Sequence, residues 1–180
     1  MERKEPWSVA WRKWLSESSD TNPYATADSL RAWDNVIRNA AADALEAAAA
    51  RWREWAMSAQ RALPMPSREH PLPDPEQMAA VRALQRTAAA CSDKAAAVRA
   101  LEMPAHDRVF HRLRNQEPLL EALIAYDAEL AACVEALADL AGPGSLAEEP
   151  DRRVRLETTL SLLAKTLRAR QEALIPRMPL

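Results

Sequence analysis

The chain has 180 residues and a formal net charge of −2, with a pI near 6.0: enough for one domain with a core, and without the positive field that nucleic-acid binding exploits. Two glycines against 13 prolines leave few of the φ > 0 turns that hairpins and dinucleotide loops need. Alanine and arginine displace β-branched and aromatic strand formers, so the composition excludes a β-rich architecture and predicts an all-α protein with nucleic acid disfavoured as a partner.

No run of about 18 apolar residues occurs, and residues 1–5 are not followed by an apolar stretch of signal-peptide type, so a cytoplasmic location is expected. The excess of arginine over lysine fits a GC-rich bacterial source. Cys91 and Cys133 each fall in phase with apolar helix positions and read as small hydrophobes, not as a disulfide pair.

Residues 6–17 form the first element. Trp7, Trp11, Trp14 and Leu15 gather on one helical face, flanked by Arg12 and Lys13. So short a helix is marginal alone and needs a surface to lie on, whether its own bundle, a partner protein or a lipid interface. Residues 1–21 are therefore read as an N-terminal amphipathic segment with its linker, and 22–180 as the helical bundle.

Asn22-Pro23 reads as an N-cap and first helical position. From there an apolar phase continues through Leu30, Trp33, Ile37, Ala44, Ala48, Trp52, Trp55, Ala59 and Leu63. A helix over 22–63 would span roughly 55 to 60 Å, longer than the roughly 40 Å width of a compact globule of this length. The expected bundle is therefore elongated, or its long helix reaches a partner. Residues 64–75 carry five prolines and read as a rigid extended connection.

Asp74 and Pro75 open the next helix, in which Val81, Leu84, Ala88, Cys91, Ala95, Val98 and Leu101 alternate strictly by three and four. Met103-Pro104 ends it. The following helix extends from Pro104 toward Ala141, kinked or briefly broken at Pro118, and its second half has the richest apolar surface of the chain. Gly142-Pro143-Gly144 makes the turn, and Ser145 with Glu148 forms a capping box for the last helix, which Pro176 stops. Between 117 and 139 every charge is acidic, while the last helix carries Arg152, Arg153, Arg155, Lys165, Arg168 and Arg170. Folding back through the turn would lay these opposite charges side by side.

The inventory of chemical groups is thin. His70 sits in the proline connection, and His106 and His111 are five apart, which does not stack them on one face. No HExxH, Glu-x-x-His repeat, glycine-rich phosphate loop, nucleophile elbow or paired CxxC is present, so neither catalysis, a metal nor a cofactor is expected. Glu117 and Glu121 read as a solvated acidic face. Gln116 and Asp127 stand out because they share the phase of Leu113, Leu120, Leu123, Leu130, Val134 and Leu137, and buried polar residues in such a seam commonly fix register or oligomeric state.

The sequence thus predicts an elongated, mostly antiparallel bundle of four main helices preceded by a short Trp-bearing amphipathic helix. Its expected role is that of a non-catalytic interaction protein that binds a protein partner or itself through Trp7, Trp11, Trp14, Leu15, Trp33, Trp52 and Trp55. The alternative is a peripheral binder of a membrane or hydrophobic granule surface, with the N-terminal tryptophans inserted and Arg12 and Lys13 at headgroups. The core is expected mainly in the helices after Glu117, which leaves the long alanine helix as the partner-facing arm.

Overall fold

In the computed structural model the described residues are 23–65, 74–101 and 117–174. They are all-helical: α1 (Ala27–Arg61), α2 (Pro75–Arg99), α3 (Glu117–Ala141) and α4 (Glu149–Leu174), the last preceded by a 3-10 turn at Leu146–Glu148. The N-terminal amphipathic segment lies outside them.

The 35 residues of α1 make a rod about 52 Å long. Its start is later than the Asn22-Pro23 signal suggests, because Thr26 is the N-cap. Thr26 Oγ1 accepts from the Ser29 backbone N–H at 3.0 Å, and Ser29 Oγ accepts from the Thr26 N–H at 3.0 Å, a reciprocal capping box. Pro23 and Tyr24 sit just before it, both buried, with Tyr24 turned toward α3.

Asp74 opens α2 as expected, accepting from the Glu76 N–H at 3.0 Å with proline in the first turn. Pro118 falls in the first turn of α3, where its missing N–H is not needed; residues 102–116, and with them the expected first half of that helix, lie outside the described residues. After the glycine turn, Ser145 N–H and Oγ each meet Glu148 Oε1 at 3.3 Å, the local tie foreseen for the start of the last helix.

Side-chain pairs fix the helix directions. Asp43 meets Arg99 and Glu46 meets Ser92, so numbers rise on α1 as they fall on α2. Asp127 meets Arg170 and Glu129 meets Thr166, which makes α3 and α4 antiparallel as well. Trp33 reaches Asp127, while Arg51 Nε reaches the Ala141 carbonyl at 3.2 Å; α1 and α3 therefore run parallel.

The main core is centred on α1, contrary to the expectation that it would lie in the helices after Glu117. Ile37, Ala41, Ala44, Leu45, Ala48, Trp52 and Trp55 face Leu84, Ala88, Cys91 and Val98 of α2 and Leu130, Cys133 and Leu137 of α3. Alanine explains the arrangement. Small side chains permit neighbouring helices to approach closely, and α1 carries them along the face it buries against α2 and α3. Each alanine buries little area, so the large rings and leucines supply most of the hydrophobic stabilisation. A second, smaller cluster joins Tyr24, Leu30, Leu123 and Leu174 at the end where α1 begins and α4 finishes.

Candidate functional site

The most concentrated chemistry among the described residues is a buried ionic knot that ties α1, α3 and α4. Asp34 shares the buried stripe of Leu30, Ile37 and Ala41 on α1. Asp127 falls between Leu123 and Leu130 on the buried face of α3, and Arg170 between Leu163 and Leu174 on that of α4. All three are at least 95% buried, so helical periodicity carries opposite charges into one apolar layer.

The Arg170 guanidinium joins the two carboxylates. Its Nη1 donates to Asp34 Oδ1 at 2.5 Å and its Nε to Asp127 Oδ1 at 2.6 Å. Asp127 Oδ2 accepts from the Tyr24 hydroxyl and from Trp33 Nε1, the latter at 3.0 Å. Asp34 Oδ2 accepts from Arg38 Nε at 2.7 Å. Arg38 then donates through Nη2 to Asn35 Oδ1 at 2.7 Å and through Nη1 to the Leu101 carbonyl at 2.7 Å, extending the network to the chain just past α2.

Two carboxylates and two guanidinium groups balance. Removing four charges from water costs several kcal/mol per ion, offset only because each meets an opposite charge in hydrogen-bonding geometry. Burial alone would lower the pKa of Arg170, but the carboxylates of Asp127 and Asp34 outweigh it and hold the guanidinium protonated above its ordinary value. Burial, followed by the Asp127 carboxylate, pushes the Tyr24 phenol far up. Its proton therefore stays available to Asp127. Arg170 Nη2 is buried without an acceptor in the protein, and a cavity of about 10 Å³ borders Asp127 between Trp33, Ile37 and Leu130, large enough for a single water at most.

What this arrangement does follows from its occupancy. All four carboxylate oxygens accept a donor from the bundle itself, whereas a general base needs an oxygen facing a substrate. The knot ties one residue each of α1, α3 and α4 through the Arg170 guanidinium. Among the described residues no group of three or more His, Cys, Asp and Glu side chains is placed to hold a metal ion, and no helix is long and apolar enough to cross a membrane.

A second cluster lies at the opposite end of α1. Trp52 and Trp55 form an edge-to-face pair with centroids 5.0 Å apart. The Arg152 guanidinium lies 5.7 Å from the centre of the Trp55 ring. Arg152 also donates to the carbonyls of Leu140, Gly142 and Pro143 at 3.1, 3.3 and 2.8 Å, satisfying groups that the end of α3 leaves open. A Cβ on Gly144 would overlap that guanidinium, so a larger residue there would displace the head of Arg152.

The predicted site residues therefore separate. Trp7, Trp11, Trp14, Leu15 and Gln116, with His70, His106 and His111, lie outside the described residues. Trp52 and Trp55, expected on a partner-facing surface, are core residues at 0% and 5% exposure, a correction whose cause is the close approach that the alanines permit. Trp33 is half-buried and engaged with Asp127. Asp127 stands where the apolar phase put it, in a buried seam between helices.

The sequence reading missed Asp34, Arg170, Tyr24 and Arg38. A signal for the first two existed, since each is a charged residue in phase with an apolar stripe, as Asp127 is. Arg170 shares its helix with the exposed Arg155 and Arg168, and nothing local separates it from them. The expected ladder of exposed charge pairs between α3 and α4 also took another form, because Arg152 and Arg153 pair with Glu148 and Glu149 four residues earlier. Compared with known families, curated proteins and solved structures, the chain matches none.

Proposed function

We propose that the chain is a non-catalytic helical interaction protein, an adaptor, accessory subunit or assembly factor that binds a protein partner or a second copy of itself. One observation carries this reading: the buried carboxylates have every oxygen occupied by donors of the bundle, so the interior chemistry maintains helix register. Recognition then falls to the outside, and the apolar stripe Trp7, Trp11, Trp14 and Leu15 is the segment with the composition for it. An elongated, mostly antiparallel bundle would give that stripe a stiff support.

Removing residues 1–17 tests the proposal. Self-association measured by light scattering, or recovery of a partner in a pull-down, is expected to fall sharply while helicity is retained; unchanged behaviour in both assays sinks it. The tryptophan stripe flanked by Arg12 and Lys13 also suits an anionic lipid or granule surface. Flotation with anionic vesicles and a blue shift of tryptophan emission, in place of protein association, would favour that second reading.

A further inference from the structure

Two surfaces of the bundle carry opposite charge without an internal partner. The first is an apolar groove of about 180 Å³ between α2 and α4, lined by Val98, Leu101, Leu163 and Leu167 with Lys94 and Arg168 at its rim. It exists because α1 packs on α2 and α3, and α3 on α4, which leaves α2 and α4 as the outer pair. No carboxylate lines it, and neither rim cation makes an ion pair among the described residues. The second surface is the outward stripe of α3, where Glu121, Ala125, Ala128, Ala132, Glu135 and Asp139 follow helical spacing and none is buried. No lysine or arginine occurs anywhere in that helix, and Glu121 and Asp139 likewise make no ion pair among the described residues. We infer that the groove is the docking site for the outer stripe of α3 from a second copy of the chain. The inference shares with the proposed function the premise of self-association and adds a second contact to it.

Charge, shape and length select this occupant. Cations at the rim meet a helix that offers carboxylates and no cation to repel them. Alanines at the centre of the stripe let a helix settle between two others. The groove runs from Lys94 to Leu101 on α2 and from Leu163 to Gln171 on α4, roughly 10 to 12 Å. That is the length of α3 from Ala128 to Glu135, so Ala128 and Ala132 can seat in it while Glu135 and Asp139 reach the rim. The chain that continues from Leu101 has the other sign, since residues 102–116 hold Arg108, Arg112 and Arg114 against Glu102 and Asp107. A contact about two turns long buries less than the roughly 1,200 Å² at which stable interfaces begin, so the association is weak and salt-sensitive. Groove and stripe are different surfaces of one molecule, so the contact is heterologous and can propagate from copy to copy.

The test uses the full-length chain as an equal mixture of isotope-labelled and unlabelled protein, treated at low salt with a carbodiimide, which condenses a lysine amine with a carboxylate that it touches. Peptide mapping is expected to give mixed-isotope links from Lys94 to Glu121, Glu135 or Asp139. Arg168→Glu, a change at an exposed residue with helicity checked by circular dichroism, should reduce those links at least about tenfold, and salt at about 0.5 M should do the same. Links confined to one chain, above all from Lys94 to Glu102 or Asp107, would overturn the inference. So would mixed-isotope links that Arg168→Glu leaves unchanged, or none at all. Removal of residues 1–17 separates this inference from the proposed function, because the Lys94 links should persist without that segment. Association lost on the removal with no link from Lys94 to α3 leaves the function and ends the inference, whereas persistent links with association unaffected by the removal do the reverse.

Discussion

The two ends of α1 solve the same packing problem by opposite means. Toward its C-terminus, α1 meets α2 and α3 through alanines, leucines and the Trp52–Trp55 pair, a surface whose shape alone limits how the helices sit. Toward its N-terminus the contact runs through Asp34, Asp127 and Arg170. An alanine seam constrains register through shape alone, since a small side chain makes no directional bond to its neighbour. A guanidinium held between two carboxylates accepts one register. We propose on this contrast that the apolar end supplies most of the stabilisation and the polar end the specificity.

The largest expected effect breaks the polar end. Arg170→Met would strand the carboxylates of Asp34 and Asp127, Asp34 keeping only Arg38, and should destabilise the fold by about 3 to 5 kcal/mol in urea unfolding at neutral pH. Replacing all three groups with apolar residues, Asp34→Leu, Asp127→Leu and Arg170→Met, should restore most of that loss or exceed the original stability. If the knot sets register, this triple variant gains stability but loses unique α3/α4 pairing, seen as new cross-links between cysteines placed one turn out of register. A stable triple variant with the original pairing would end the claim that specificity resides there.

The apolar end should respond in the other direction, to added volume. Ala48 is fully buried in the seam, and Ala48→Leu would force apart helices that approach closely because nothing larger stands there. The expected loss is about 1 to 3 kcal/mol, without the change of register expected from the knot. A neutral or stabilising Ala48→Leu would show that the seam is loosely packed and that the contrast between the two ends is overdrawn.

How much of this was legible in the sequence depended on the range of each interaction. The helices, the Asp74 cap, the Ser145–Glu148 tie and the three-four alternation of α2 are local, and the pattern of nearby residues specifies them. Asp127 was visible because its phase is a local property. Its partners were not: Arg170 is 43 residues away from Asp127, and 136 from Asp34, and with many arginines on α4 nothing local selects one. The same limit explains the start of α1, where Asn22-Pro23 offers a good local signal but the chain before Thr26 instead carries the Tyr24 hydroxyl to Asp127. It also explains Trp52 and Trp55. Alanine neighbours made that face look thin, yet they are what lets two other helices close over the rings.

Alkaline titration gives the mildest and most selective way to set the two ends against each other, because each holds a buried acid that resists ionisation. Burial, with a contribution from the Glu46 carboxylate, pushes the Cys91 thiol in the apolar core up to about 11; the Cys133 thiol is raised for the same first reason, with Glu129 contributing. A thiol that stays protonated in the folded state while the unfolded chain releases its proton gives the unfolded state fewer bound protons, so stability falls as pH rises. For Cys91 the fall begins near the ordinary thiol value of about 9 and continues to about 11, amounting to about 1 kcal/mol at pH 10. Tyr24 acts with the same sign, but only as pH passes the ordinary phenol value near 10, so the apolar end should weaken before the polar end. Urea midpoints measured from pH 8 to 10.5 should decline in Cys91→Ala less steeply than in the parent between pH 9 and 10. Tyr24→Phe, which lowers stability at every pH by removing a donor to Asp127, should keep the decline that Cys91 causes and fall less steeply than the parent only above pH 10. A parent curve flat to pH 10, or a Cys91→Ala slope equal to the parent's, would mean that the core around α1 and α2 admits water and ionises as freely as the unfolded chain. The alanine seam would then be looser than its zero-exposure residues Ala41, Ala48 and Cys91 imply.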